Sequence, residues 1–306
     1  MEKRNSILLS IGLILALILS ACQSGASGTS GKKTIVVTYS IMGAVVKDLV
    51  GDQATVVVPM PNGQDPHEWE PSARDIETIN RANLIVQNGL GLEGGMQKAL
   101  SQAKEGGVKF FTASDYIPIR HVGKGEGLPT GDPDQAEGAE DPHLWMDPVD
   151  IKLVVDALAT LCKSDLGIDV SVRAKDLDSR LDGLNQEVQT QVQAIPASNR
   201  KLVTGHESMG YYAQRYGFKL VGALIPSLSS QAEVSASDLA ALKQQIQENQ
   251  VKAIFTELGT PKAVSEAIGK ETGVKVVELT THSLPPDGSY FTFLRNLTEV
   301  IVKNLK

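Results

Sequence analysis

Short runs of β-branched and apolar residues alternate along the chain with segments whose apolar residues recur every three to four positions. The first pattern predicts strands and the second amphipathic helices, so their alternation indicates an α/β fold with mainly parallel sheets. The predicted strands are Thr34–Tyr39, Thr55–Val58, Leu84–Gln87, Val108–Phe111, Lys201–Thr204, Lys219–Ala223, Lys252–Thr256 and Lys275–Leu279. The predicted shorter helices are Met42–Val50, Ala73–Ala82, Met96–Lys104, Pro148–Lys163, Met209–Tyr216, Ser237–Asn249, Pro261–Thr272 and Tyr290–Leu305.

The longest helical pattern lies between the two groups of strands. Its apolar residues follow steps of three and four from Val170 to Ile195, which predicts one continuous buried stripe. A helix of this length spans about 39 Å. We therefore expect two α/β lobes, residues 34–165 and 197–306, joined by a single stiff helix within residues 166–196.

Three helix starts carry capping signals. Ser72 with Asp75 three residues later resembles a capping box. Asp147-Pro148 and Thr260-Pro261 each place a good cap residue before a proline in the first helical turn. These signals predict where the corresponding helices begin.

The N-terminus has the pattern of a processed targeting segment. Lys3 and Arg4 precede an apolar run over residues 7–19, which is shorter than the roughly 20 residues that span a bilayer. The run ends in Leu-Ser-Ala-Cys, which looks like a bacterial lipobox, so we expect a lipoprotein signal peptide over residues 1–21 and lipidation of Cys22. The Gly/Ser-rich residues 22–33 predict a flexible tether that holds the body outside the cytoplasmic membrane.

Composition narrows the class of ligand. The chain has 306 residues, a net charge of −7 and no basic run, which argues against nucleic acid as a partner and permits a cation. We expect a monomer. Cys162 lies in an apolar helical pattern and is predicted to be a small core residue.

Four of the five histidines fall just beyond the carboxyl ends of predicted strands, two in each half of the chain. Ligands bind at these strand ends in open α/β sheets, so two lobes that face each other could bring four imidazoles together. The candidate metal ligands are His67, His143, His206 and His282. The fifth histidine, His121, lies beside a Gly- and acid-rich insertion and is not expected to be a ligand.

The first two of these histidines belong to a duplicated motif, Asp-Pro-His-x-Trp, at residues 65–69 and 141–145. Proline constrains the backbone before the histidine, and the tryptophan can pack as an apolar anchor that excludes water. A carboxylate after each motif, Glu70 or Asp147, could orient an imidazole through its second nitrogen, although Asp147 is also the predicted helix cap. Glu257 and Glu207 are candidates for a supporting role next to the ligands, and Glu257 is also an alternative to His282 as the fourth ligand.

The insertion at residues 123–141 is rich in glycine, proline and acidic residues. This composition predicts a disordered, solvated loop. An alternative interpretation is a weak cation-collecting loop at the mouth of the cleft.

The chain resembles the zinc- and manganese-binding class of ABC-transporter solute-binding lipoproteins. The resemblance covers nearly everything after the tether and is carried by GQDPHEWEPSARD, DPHLWMDP, VTGHESMGYYAQRYG, IFTELGTPKAVSEAIGKETGVKV and DGSYFTFLRNL. It implies two α/β lobes, one rigid linking helix and a single metal ion in the cleft, which is delivered to a membrane permease. It also implies three ligands, His67, His143 and His206.

At the fourth position this chain departs from the family pattern, because His282 stands where many relatives have aspartate. Four imidazoles favour Zn²⁺ over Mn²⁺, which prefers oxygen ligands, although copper, nickel, cobalt and ferrous iron also accept imidazole. A zinc hydrolase with Glu207 as its base is a competing interpretation, but the chain has no His-Glu-x-x-His motif. A surface adhesin with a structural metal is another. We expect a binding protein for zinc, with manganese as the alternative cargo, and no enzymatic activity.

Overall fold

The computed structural model describes residues 31–126 and 136–306. The predicted signal peptide, Cys22 and most of the tether lie outside the described residues, and so do residues 127–135 of the acidic insertion. Within the described part of the chain, no helix is both long and apolar enough to cross a membrane.

The eight strands that the sequence predicts are all present among the described residues. They are β1 (Lys33–Val37), β2 (Ala54–Val57), β3 (Leu84–Gln87), β4 (Phe110–Thr112), β5 (Lys201–Thr204), β6 (Lys219–Ala223), β7 (Ala253–Thr256) and β8 (Lys275–Glu278). The first half of the chain forms one sheet with the order β2-β1-β3-β4. In the second half β5 pairs with β6 and β7 with β8, and β5 lies beside β7. Every pairing is parallel, as the alternating pattern predicts.

Nine α-helices, besides shorter helical turns, connect and flank these strands in the described residues. They are α1 (Ser40–Val50), α2 (Ala73–Asn80), α3 (Gln97–Glu105), α4 (Pro148–Leu161), α5 (Ser171–Gln193), α6 (Gly210–Tyr216), α7 (Ala236–Glu248), α8 (Lys262–Thr272) and α9 (Tyr290–Leu305). Strand β4 begins two residues later than predicted, because the Val108 amide donates to the Ala103 carbonyl and closes the end of α3.

Two of the three predicted caps are present. Ser72 and Asp75 form a reciprocal capping box at α2, and the Asp147 side chain accepts a hydrogen bond from the Val149 amide at the start of α4. The prediction that Thr260 caps α8 is wrong. Its hydroxyl oxygen accepts a hydrogen bond from the Glu257 amide instead, which leaves the start of α8 without a side-chain cap.

Helix α5 is the long helix that the sequence predicts between the two halves. Its 23 residues bury one stripe, formed by Ala174, Leu177, Leu181, Leu184, Val188 and Val192. Helices α1, α4 and α9 pack against it, so the last described helix contacts the helix that links the two halves. The main core contains residues of both halves, including the fully buried Cys162, and Lys33–Lys306 forms one compact unit. The lobe boundaries 34–165 and 197–306 remain predictions.

Candidate metal centre

Four loops at the carboxyl ends of strands bring four histidines together. His67 follows β2, His143 follows β4, His206 follows β5 and His282 follows β8. Each offers one ring nitrogen, and these four atoms all lie within 4.8 Å of one another. All four residues are buried, with exposed fractions between 0% and 5%.

The closest nitrogens have the spacing of neighbouring ligands around a small cation. The Nε2 atom of His143 lies 3.3 Å from Nε2 of His67 and 3.1 Å from Nε2 of His206. Adjacent nitrogens in a tetrahedral zinc site are about 3.4 Å apart, since each lies about 2.0–2.1 Å from the metal. The His282 ring is close to that of His206, with 5.1 Å between centroids. The cluster can therefore offer four nitrogens to one ion.

The His143 ring is oriented by Asp141, the first residue of its own motif. One carboxylate oxygen, Oδ1, accepts from both the His143 amide at 2.9 Å and the ring Nδ1 at 2.8 Å. Donation from Nδ1 leaves the lone pair of Nε2 free to face the cluster. Burial acts to raise the pKa of Asp141, but the hydrogen bond and charge of His143 outweigh it and hold that pKa below its usual range.

Glu257 supports the two histidines of the second half. Its Oε1 atom lies 3.1 Å from the ring Nδ1 of His206 and accepts from the His206 amide at 2.9 Å. Its Oε2 atom accepts from the Thr281 hydroxyl, whose oxygen lies 2.8 Å from Nδ1 of His282. Because the threonine proton goes to Glu257, the Thr281 oxygen must accept from His282 Nδ1–H. Nε2 of His282 then keeps its lone pair and has no partner among the described residues.

Burial and charge keep most of the site uncharged. Burial, together with the charges of the other histidines, lowers the pKa of His67 and His282 well below the usual histidine value, and burial also lowers the pKa of His143. Burial acts to lower the pKa of His206 too, but the negative charge of Glu257 outweighs it and raises that pKa. These shifts favour the neutral, metal-binding form of His67, His143 and His282, whereas His206 keeps its proton to a higher pH than an ordinary histidine does.

Neither carboxylate that follows a motif orients an imidazole, and the alternative role of Asp147, the predicted helix cap, is confirmed. Glu70 is exposed, and Asp147 caps α4 and pairs with Arg215 at 2.6 Å. Asp65 and Asp141, which precede the histidines, accept from the histidine amides instead. An aspartate two residues before an amide is the signature of an Asx turn, so the sequence contained a signal for these contacts.

The two tryptophans of the motifs have different environments. Trp145 is fully buried, its ring centroid lies 5.3 Å from that of His143, and its Nε1 donates to the Thr281 carbonyl at 3.0 Å. Trp69 is only half-buried. The anchoring role predicted for both therefore fits Trp145 better.

The remaining candidates lie beside the cluster or away from it. Glu207 is buried. Burial, and to a lesser extent the negative charge of Glu126, raises the pKa of Glu207 to about 8. None of its described hydrogen bonds goes to a cluster histidine.

His121 is exposed and outside the cluster, as expected. Asp141 is fully buried and ion-paired with Arg120 at 3.0 Å, so the C-terminal end of the acidic insertion is not a solvated loop.

The α/β fold and the buried four-histidine cluster together define a protein that can bind a transition metal. Residues 35–304 match the family model ZnuA, described as zinc-uptake complex component A, periplasmic, and the chain belongs to this family.

Individual relatives match over nearly the full length. The chain is 26% identical to the manganese ABC transporter substrate-binding lipoprotein PsaA of Streptococcus anginosus, over 100% of this chain and 99% of the relative. It is 27% identical to the manganese-binding lipoprotein MntA of Halalkalibacterium halodurans, over 96% of each. The chain also matches the solved structure of the periplasmic zinc-binding protein TroA of Treponema pallidum. The two share 28% sequence identity and a TM-score of 0.77, and the match covers 90% of this chain and 99% of that one.

These matches confirm the expected class. The chain is a metal-binding solute-binding protein of the ABC-importer type and not a zinc hydrolase. The structural match also confirms the predicted α/β architecture. The relatives are named for different metals, so the comparisons leave the choice of metal to the chemistry of the site.

Proposed function

We propose that this protein captures Zn²⁺ outside the cytoplasmic membrane and delivers it to the permease of an ABC importer. The ligands are His67, His143, His206 and His282, and lipidated Cys22 anchors the monomeric protein to the membrane. The observation that carries the proposal is the convergence of four buried ring nitrogens within 4.8 Å of one another. An all-nitrogen set of neutral imidazoles suits zinc and is a poor set for manganese.

Two buried carboxylates balance the charge of the ion. Neutral imidazoles leave the double positive charge of Zn²⁺ uncompensated, and a buried charge without a counter-charge is costly. Asp141 hydrogen-bonds His143, and Glu257 lies against His206. Both carboxylates contact the far side of a ring, so they stabilise the ion without occupying a ligand position.

Manganese is the second candidate, because relatives of this chain are named as manganese-binding. A manganese site would need carboxylate oxygens among the ligands. Glu257 is the nearest carboxylate of the second half, but its two oxygens already accept from the His206 amide, Ser208 and Thr281. Recruiting it as a ligand would break these buried hydrogen bonds, which favours zinc.

The test is competition between the two metals at a variant of the fourth ligand. Purified protein stripped of metal is titrated with Zn²⁺ and Mn²⁺ in competition, beside His282→Asp. The expected result is a strong zinc preference in the parent chain and a shift toward manganese in the variant, since aspartate replaces a nitrogen with an oxygen ligand. His121→Asp makes the same change at an exposed histidine outside the cluster and is expected to leave the preference unchanged.

The other outcomes are equally informative. Manganese preference in the parent chain would overturn zinc as the cargo. An unchanged preference in His282→Asp would remove His282 from the ligands and leave a three-histidine site.

A further inference from the structure

The loop that carries His282 is held by both halves of the molecule. We define the His282 loop as residues 281–284. Within its own half, the Thr281 hydroxyl donates to Glu257. From the first half, Trp145 Nε1 donates to the Thr281 carbonyl at 3.0 Å, and Asn62 binds the other end of the loop.

Asn62 forms two complementary hydrogen bonds with the backbone of one residue, Leu284. Its Nδ2 donates to the Leu284 carbonyl at 2.9 Å, and its Oδ1 accepts from the Leu284 amide at 2.7 Å. The side-chain amide of Asn62 uses its donor and its acceptor at the same time. The two bonds therefore fix both how far the Leu284 backbone lies from Asn62 and how it is oriented. Asn62 itself is exposed.

Both residues of the first half that hold the His282 loop are close in sequence to metal ligands. Asn62 lies on the loop that leads from β2 to His67, and Trp145 lies two residues after His143. The bonds reach Thr281 and Leu284, so they flank His282 on both sides. His206, in contrast, is oriented by Glu257 of its own half. These hydrogen bonds therefore set the position of the His282 ring relative to the loops that carry His67 and His143.

We propose that Asn62 is a positioning residue for His282, an inference that rests on the four-histidine zinc site proposed above. By holding Leu284, it keeps Nε2 of His282 at the cluster and slows zinc release. Loss of the two hydrogen bonds between Asn62 and Leu284 lets the His282 loop move away from the first half. Three ligands then remain on the ion. Movement of the His282 loop is therefore a route by which the ion is released.

The test uses Asn62→Ala, with Asn83→Ala as the matched control. Asn83 is also exposed, and its Oδ1 accepts from the Thr34 amide at 2.8 Å, at the amino ends of β1 and β3 and so at the opposite edge of the sheet from the site. Removing a group that orients a metal ligand typically weakens binding by about 10-fold or more. Asn62→Ala is therefore expected to weaken zinc binding about 10-fold and to speed zinc release, while Asn83→Ala leaves both unchanged. The unfolding midpoint of the metal-free form should match between the two variants.

A double-mutant cycle separates positioning from a general structural effect. If Asn62 acts through His282, Asn62→Ala has no further effect on zinc affinity in a His282→Ala background. Additive losses of affinity would overturn the proposal. Bound Co²⁺ gives a second measurement, because its visible absorption weakens when a four-coordinate site gains water ligands. Asn62→Ala is expected to weaken this absorption, and Asn83→Ala is not.

The same cycle distinguishes this inference from the proposed function. If His282→Ala leaves zinc affinity unchanged, the four-histidine site itself is wrong. If His282→Ala weakens binding but Asn62→Ala does not, the four-histidine site stands and the role of Asn62 is refuted.

Discussion

Asp65 and Asp141 occupy the same place in the two Asp-Pro-His motifs, yet they bind different atoms of the following histidine. Both accept from the histidine amide at 2.9 Å. Only Asp141 also reaches the ring, at Nδ1 of His143. Its second oxygen pairs with Arg120, which keeps the carboxylate in place. One motif therefore fixes the backbone of its ligand, and the other fixes the backbone and the ring together.

This difference predicts unequal effects of the same substitution. Asp141→Asn removes the negative charge from His143 and is expected to weaken zinc binding by about 10- to 100-fold, the usual effect of losing a partner that orients a ligand. Asp65→Asn keeps an acceptor for the His67 amide and is expected to have a smaller effect. Zinc affinity measured against a competing chelator checks both, with the metal-free unfolding midpoint as a measure of damage to the fold. Equal losses would contradict the distinction.

The four cluster histidines could be predicted at the residue scale because each follows a strand that the sequence marks clearly. The carboxylates that contact the far side of the histidine rings could not be assigned as easily. Asp141 lies two residues before His143 and Asp147 four residues after it, and the Asx turn decides that Asp141 is the one that reaches the ring. Thr281 relays a hydrogen bond from His282 to Glu257, across 24 positions of the chain. No local pattern contains that contact.

At the scale of elements, helix α5 determines how the halves are combined. Its apolar stripe was readable in the sequence because the spacing of three and four residues is uninterrupted. The sequence did not reveal that α9, the last element, packs against α5 and α1. Such packing depends on the path of the whole chain and not on a local period. It joins residues of both halves in one core.

The buried stripe of α5 predicts the cost of shortening one of its side chains. Leu181 is 1% exposed, and Leu181→Ala is expected to lower the free energy of unfolding by about 2–5 kcal/mol, through lost burial and the cavity left behind. Val172 on the same helix is 82% exposed, so Val172→Ala should change that free energy by less than about 0.5 kcal/mol. Urea unfolding of the two variants measures the difference. Similar values would mean that the stripe contributes little.

For the whole molecule, the contacts of the hydrophobic core are made without the metal ion. The main core extends through both halves and consists of apolar side chains that pack against one another, including Trp145 beside His143. A metal-free protein should therefore fold and rebind zinc, as a transport protein must. The adhesin interpretation, with a purely structural metal, requires the opposite, namely a chain that unfolds when the ion is removed.

Zinc is expected to raise the unfolding midpoint of a folded metal-free protein in a pH-dependent way. Binding to the native state alone adds about 2.7 kcal/mol of stability at a free concentration 100 times the dissociation constant, or about 5–10 °C. As the pH falls through the raised pKa of His206, that imidazole takes up a proton first and competes with zinc, so the zinc-induced shift shrinks. Thermal unfolding with and without zinc, between about pH 8 and pH 5, measures this shift across the histidine range. A constant shift across that range would show that no histidine proton is displaced, and would contradict binding through His206.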